Sequence, residues 1–209
     1  MSQAHPVQAR RAASRLPRER RVSEIMEAAR AVFEEHGYQD ALLSDIAERA
    51  GVVEGTIYRY FDNKRGLLVR VLEQWFEELL TENEDLVAIA DTRERLRTLV
   101  WRHLTSIRRW PALSRMMLME IRPDPGYRAT RLYELNRAYA QHVADIVRAG
   151  VAAGAFAADV PAPLVRDMLY GCIEHHTWAF LRGEGDFAVD ATADAITALL
   201  HRGLAPEPR

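Results

Sequence analysis

Residues 44–61 read SDIAERAGVVEGTIYRYF, and this stretch decides the fold. Two helices that cross steeply through a tight turn need three things. They need a small residue at the crossing, a turn residue at positive φ, and buried apolar positions on both helices. Ala47 supplies the first and Gly51 the second. Ile46, Ala50, Val52, Ile57 and Tyr60 supply the third, and Ser44 stands where it can cap the first helix. Each feature alone is cheap; together, at these spacings, they specify a helix-turn-helix.

The second helix of such a unit must present polar groups to DNA. Gly55 permits close backbone approach, and Thr56 can meet a phosphate or a thymine methyl. Tyr58 and Tyr60 have aromatic bodies for packing and hydroxyls that reach phosphates, while Arg59 is expected to point toward groove or backbone. Lys64 opens the next helix, where its ammonium and the helix N-terminus can share one phosphate. The competing reading is a plain helical corner with two packed tyrosines. It leaves Gly51, Gly55, Lys64 and the basic segment upstream without a common reason.

In that segment Arg10, Arg11, Arg15, Arg18, Arg20 and Arg21 face one acid, Glu19. The whole chain has a net charge of −2, with 28 Lys and Arg against 30 Asp and Glu. The positive charge is therefore local, which suits a local polyanion contact; a solvated tail is the other reading. Residues 1–19 are expected to form a basic flexible arm.

GVVEGTIYRYFDNK, residues 51–64, closely resembles the signature of TetR/AcrR-family regulators. That signature is commonly Gly-Val-Ser-x-Gly-Thr-hydrophobic-Tyr-x-His/Tyr-Phe-x-Ser/Asn-Lys. The specific match covers about residues 20–72; the rest agrees in length and helical layout. The resemblance implies DNA contacts at Thr56, Tyr58, Tyr60 and Lys64, with Ser44 beside a phosphate and Arg18, Arg20 and Arg21 near the minor groove. It also implies a homodimer paired through the last two helices, a palindromic double-stranded operator, repression, and release by a small-molecule effector. Two departures stand out. Val53 replaces the usual serine, so a cap worth about 1 kcal/mol is missing from the recognition helix. Glu54 follows it, either a solvated first-turn acid or a reader of a cytosine amino group.

Outward from the motif, nearly everything reads as helix. Val22, Ile25, Met26, Ala29, Val32 and Phe33 lie on one face of a segment stopped by Gly37. Asp62 and Asn63 can cap a long helix through Leu80. Further helices are expected over 92–110, 111–121 (opened by Pro111), 127–149, 163–181 and 191–204, with 150–163 as a connection. The fold class is thus all-α: a helix-turn-helix domain over 20–66 and a helical effector-binding and dimerisation domain over 67–209. The apolar helices at 163–181 and 191–204 suit a dimer seam, although a monomer core would look similar.

Trp75, Trp101, Met116, Met117, Met119 and Trp178 are candidates to line an adaptable apolar pocket, against a reading as ordinary core. His103, His142, His175, His176, Tyr133 and Glu120 are candidate polar groups for a ligand head, and a largely apolar or amphipathic effector is expected. Glu174, His175 and His176 are consecutive, and neighbours on a helix diverge by about 100°, so they cannot share one metal ion. One of the two histidines is expected to face inward. No metal or cofactor is expected.

Forty-eight per cent hydrophobic residues is globular composition, and no apolar run is long enough to span a bilayer. One cysteine, Cys172, excludes an internal disulfide, and the N-terminus lacks the apolar stretch of a secretory signal; a cytoplasmic protein is expected. The motifs of zinc hydrolases, di-iron bundles, serine hydrolases and P-loop enzymes are all missing. GEGDFA at 183–188 formally fits a dinucleotide pattern but follows a helix rather than a strand. An enzyme within a helical bundle is the weak alternative. A constitutive or protein-partnered DNA-binding protein without an effector is the stronger one.

Overall fold

The computed structural model describes residues 18–205, and among them every regular element is a helix. Of the expected arm only Arg18 and Glu19 fall within this range. The first helix, α1 (Arg18–Asp40), buries Ile25, Met26, Ala29, Val32 and Phe33 on one face. Gly37, at φ 71°, kinks it, so Tyr38 to Asp40 make a further turn instead of a loop.

Helices α2 (Leu43–Arg49) and α3 (Glu54–Ile57) meet through Gly51 at φ 64°, a left-handed conformation open to glycine without a Cβ clash. The Gly51 N–H donates to the Glu48 carbonyl at 3.0 Å and the Val52 N–H to that of Ala47 at 2.9 Å, closing the turn. Two expectations fail here. Extended Leu42 precedes α2, so Ser44 lies inside the first turn, and its hydroxyl bonds Asp45 Oδ1 at 3.2 Å rather than capping the helix. The recognition helix, which the periodicity of the sequence would carry from about Glu54 to Phe61, stops at Ile57. Val53 gives it no side-chain cap, and Tyr58 to Tyr60 run as turns before Phe61 enters the core.

Helix α4 (Lys64–Glu82) follows, with Asn63 Oδ1 accepting from the Gly66 N–H at 2.8 Å. The remaining helices are α5 (Thr92–Arg109), α6 (Pro111–Met116), α7 (Arg131–Ala152), α8 (Ala162–Leu181) and α9 (Val189–Leu204). Pro111 opens α6, where its missing N–H costs nothing. The chain then runs on through a π-helical turn, Met117–Ile121. Helix α7 passes the expected end at Ala149 and closes at Gly154, φ 72°. Gly150 is a packing notch within it: a Cβ there would sit 2.3 Å from the Phe156 ring.

Helix α6 ties body to head. Glu34 of α1 accepts from the N–H groups of Ala112 (3.2 Å) and Leu113 (2.9 Å), serving the orphan donors of α6's first turn. At the other end Gln39 donates to Glu120, while Arg65 donates to the Glu120 carbonyl at 3.1 Å and to Asp124 at 2.6 Å. Leu113, Met116, Met117, Leu132 and Tyr139 accordingly share one core with α1, α2 and α4. A second core joins α5, the later part of α7, α8 and α9. No helix among the described residues is long and apolar enough to cross a membrane.

Candidate nucleic-acid interface and ligand cavity

The turn at Gly51 leaves one face of α3 open. Glu54, Gly55, Tyr58 and Arg59 are exposed, Thr56 and Tyr60 half-buried, while Ile57 is sealed beneath them. A Cβ on Gly55 would meet no atom within 4 Å, so nothing inside the protein requires glycine there. The Arg18 guanidinium lies 6.0 Å from the centre of the Tyr60 ring, which brings the basic segment to this same face. Arg20 and Arg21 both pair with Glu24, at 3.5 and 3.0 Å. Ser44 is exposed nearby on α2.

Lys64 is committed inward. Its Nζ donates to the carbonyls of Tyr38 (2.8 Å), Ala41 (3.1 Å) and Gln39 (3.2 Å) and lies 4.7 Å from the Tyr38 ring centre. All three ammonium protons thus have protein acceptors, and the start of α4 is tied to the end of α1.

The body holds a cavity of about 400 Å³, walled by α4, α5, α6 and the turn after it, α7 and α8. Along α8 it runs from Arg166 through Tyr170, Glu174 and Thr177 to Leu181. The lining residues on α8 thus extend over about 22 Å of helix. Trp75, Phe76, Leu79, Ile107, Met117 and Leu118 supply an apolar lining. Two ion pairs border it, Arg122–Glu174 and Arg166–Asp167, each at 2.8 Å. Within, His103 Nδ1 lies 3.1 Å from Tyr139 Oη. Burial pulls His103 down to about 4, leaving it uncharged at neutral pH, and pushes the Tyr139 and Tyr170 phenols up.

Residues 25–71 match the family profile of bacterial regulatory proteins, tetR family, and residues 90–204 that of the tetracyclin repressor-like C-terminal domain. The chain belongs to the TetR family. As such it is a DNA-binding transcriptional regulator and not an enzyme. It is 25% identical over 182 residues to the fatty acid metabolism regulator protein of Bacillus subtilis, covering 87% of this chain and 94% of that protein. It is 26% identical over 191 residues to the transcriptional repressor KstR2 of Rhodococcus jostii, covering 88% and 91%. The crystal structure of the Bacillus subtilis regulator FadR in complex with stearoyl-CoA superimposes with a TM-score of 0.76 at 25% identity, covering 87% of this chain and 98% of that one.

Of the ligand residues expected from sequence, Trp75, His103 and Met117 line the cavity of this TetR-family chain. The others do not. Met116 is core, Tyr133 packs edge-on against Tyr127, and Glu120 is engaged by Gln39. Trp101 donates to Asp190 at 3.0 Å and faces a separate hollow of about 340 Å³, which it shares with Trp75, Trp110 and Arg30. Helix phase accounts for α8. With 166, 170, 174, 177 and 181 turned inward, His175 and His176 are both exposed and Trp178 lies beneath the Arg182 guanidinium. The residues missed were Tyr139, Tyr170, Arg122 and Arg166. Their one local signal was the polar stripe Arg166–Tyr170–Glu174, at four-residue steps along an otherwise apolar helix.

Proposed function

We propose that this regulator is a homodimeric repressor of the cytoplasm that leaves a palindromic operator when an acyl thioester of the acyl-coenzyme A class fills the cavity. The cavity carries this reading: its lining follows α8 for about 22 Å, is mostly apolar, and includes two arginine–carboxylate pairs suited to a polar head. The stearoyl-CoA held by FadR agrees with it. An effector pressing on Ser114, Met117 and Leu118 pushes the segment that Glu34 and Arg65 clasp to the reading head.

On the DNA side Thr56, Tyr58 and Tyr60 contact phosphates or bases, Gly55 lets the backbone close in, and Arg59 and Glu54 face the groove. Arg18, Arg20 and Arg21 approach the minor groove, and Ser44 stands beside a phosphate. The start of α4 contributes its N-terminal field, with Lys64 holding it in place. The seam is assigned to α8 and α9, whose outer faces leave Leu164, Met168 and Leu199 more than half exposed.

The test is fluorescence anisotropy on DNA flanking the protein's own coding region, with random DNA as competitor at several salt concentrations. Specific binding lost in Tyr58→Ala, and released by stearoyl-CoA but not by coenzyme A, is the expected result. Specific binding indifferent to both compounds would favour a constitutive regulator.

A further inference from the structure

The polar groups on the cavity wall fall into two sets. Most are already partnered. Ser114 Oγ donates to the Trp110 carbonyl at 3.0 Å and Thr177 Oγ1 to that of Ile173 at 2.9 Å, each one turn back on its own helix. Tyr139 Oη meets His103, Asn136 donates to Tyr127 Oη at 2.8 Å, and the bordering arginines have their carboxylates. Two are not: Tyr170 Oη and Trp75 Nε1 are buried and without a protein partner. Both are donors. The Tyr170 ring is fixed edge-on to His103, 5.0 Å between centres, so the hydroxyl belongs to an ordered wall.

A buried donor is normally paired, and a site built to hydrogen-bond an oxygen discriminates against an analogue without one. A cavity suited only to a plain hydrocarbon has no use for an orphan hydroxyl. The arginines on this wall already have their carboxylates, Arg166 with Asp167 and Arg122 with Glu174, so an uncharged acceptor suits the free hydroxyl. Tyr170 stands one helical turn, about 6 Å, from both Arg166 and Glu174 along α8, between the two ion pairs, so the oxygen it meets belongs near the head of the ligand.

We infer that the preferred effector carries, besides its thioester, an uncharged oxygen near the head end of the chain, a hydroxyl or ketone that accepts from Tyr170 Oη. Oxygenated acyl thioesters are then the ligand class, and plain ones the weaker ligands. This rests on the acyl reading of the cavity.

The test is calorimetric titration of the full-length protein with palmitoyl-CoA and 3-hydroxypalmitoyl-CoA, for the wild type, Tyr170→Phe and Trp75→Phe, with thermal melts confirming that each variant is folded. The wild type is expected to bind the hydroxylated thioester about tenfold more tightly, a preference abolished by Tyr170→Phe and reduced by Trp75→Phe. Affinity for palmitoyl-CoA should stay within about twofold in Tyr170→Phe. A wild type that treats the two alike overturns the inference, as does a preference that survives in Tyr170→Phe. Equal weakening of both thioesters by Tyr170→Phe also overturns it, because the hydroxyl then serves the thioester carbonyl common to both. If neither thioester binds, the acyl reading itself fails and the inference with it.

Discussion

The ammonium of Lys64 has three protons and three carbonyls to take them, and this alters what its loss should do. A lysine that merely touches DNA is silent in the free protein and contributes about one unit of salt slope. One that ties the start of α4 to the end of α1 is felt before DNA arrives. Lys64→Ala is therefore expected to destabilise the protein by about 1–3 kcal/mol, seen as a lower melting temperature, and to weaken operator binding with a salt slope changed by less than about one unit. A full unit lost with no change in melting would place the ammonium on a phosphate instead. The motif made Lys64 conspicuous in the sequence. Its acceptors are backbone carbonyls 23 to 26 residues upstream, and a residue string does not show them.

At the scale of the element, local chemistry wrote most of the boundaries. Asn63 and Pro111 start helices where expected, and Gly51 turns the motif at φ 64°. The misreadings share a cause: one residue type serving two purposes. Gly150 reads as a terminator but is a notch for Phe156, while Gly154 does the terminating. Ser44 reads as a cap, yet α2 begins ahead of it. The notch yields a sharp expectation. Gly150→Ala should improve helix propensity yet cost about 1–3 kcal/mol, because the added methyl collides with a buried ring. Chemical denaturation measures it directly, and a neutral or stabilising result would mean that Phe156 can withdraw freely. The cavity was less legible than the helices. Its wall gathers side chains from five stretches between Trp75 and Leu181, and periodicity within one helix says which face is inward but not which inward faces stand apart.

For the molecule as a whole, His103 links stability to pH. Its folded value is about 4, against 6.5 for an ordinary histidine, so between those values the unfolded chain binds the proton and the folded one does not. Stability is fully present above about 6.5 and is lost as pH falls toward 4, by about 3 kcal/mol in all. Melting curves at pH 7.5 and 4.5 should separate the wild type from His103→Asn, whose loss on acidification is expected to be smaller; equal losses would mean that the ring is protonated in place. The two cores, joined through α6, make such a local event global. The same layout has an optical side. Trp75 lines both the cavity and the separate hollow where Trp101 and Trp110 also lie, so three of the four indoles sit on one or both of these spaces. Filling the cavity changes the surroundings of Trp75 directly, and the protein's own ultraviolet emission becomes a label-free gauge of occupancy, already built into the wall it reports on.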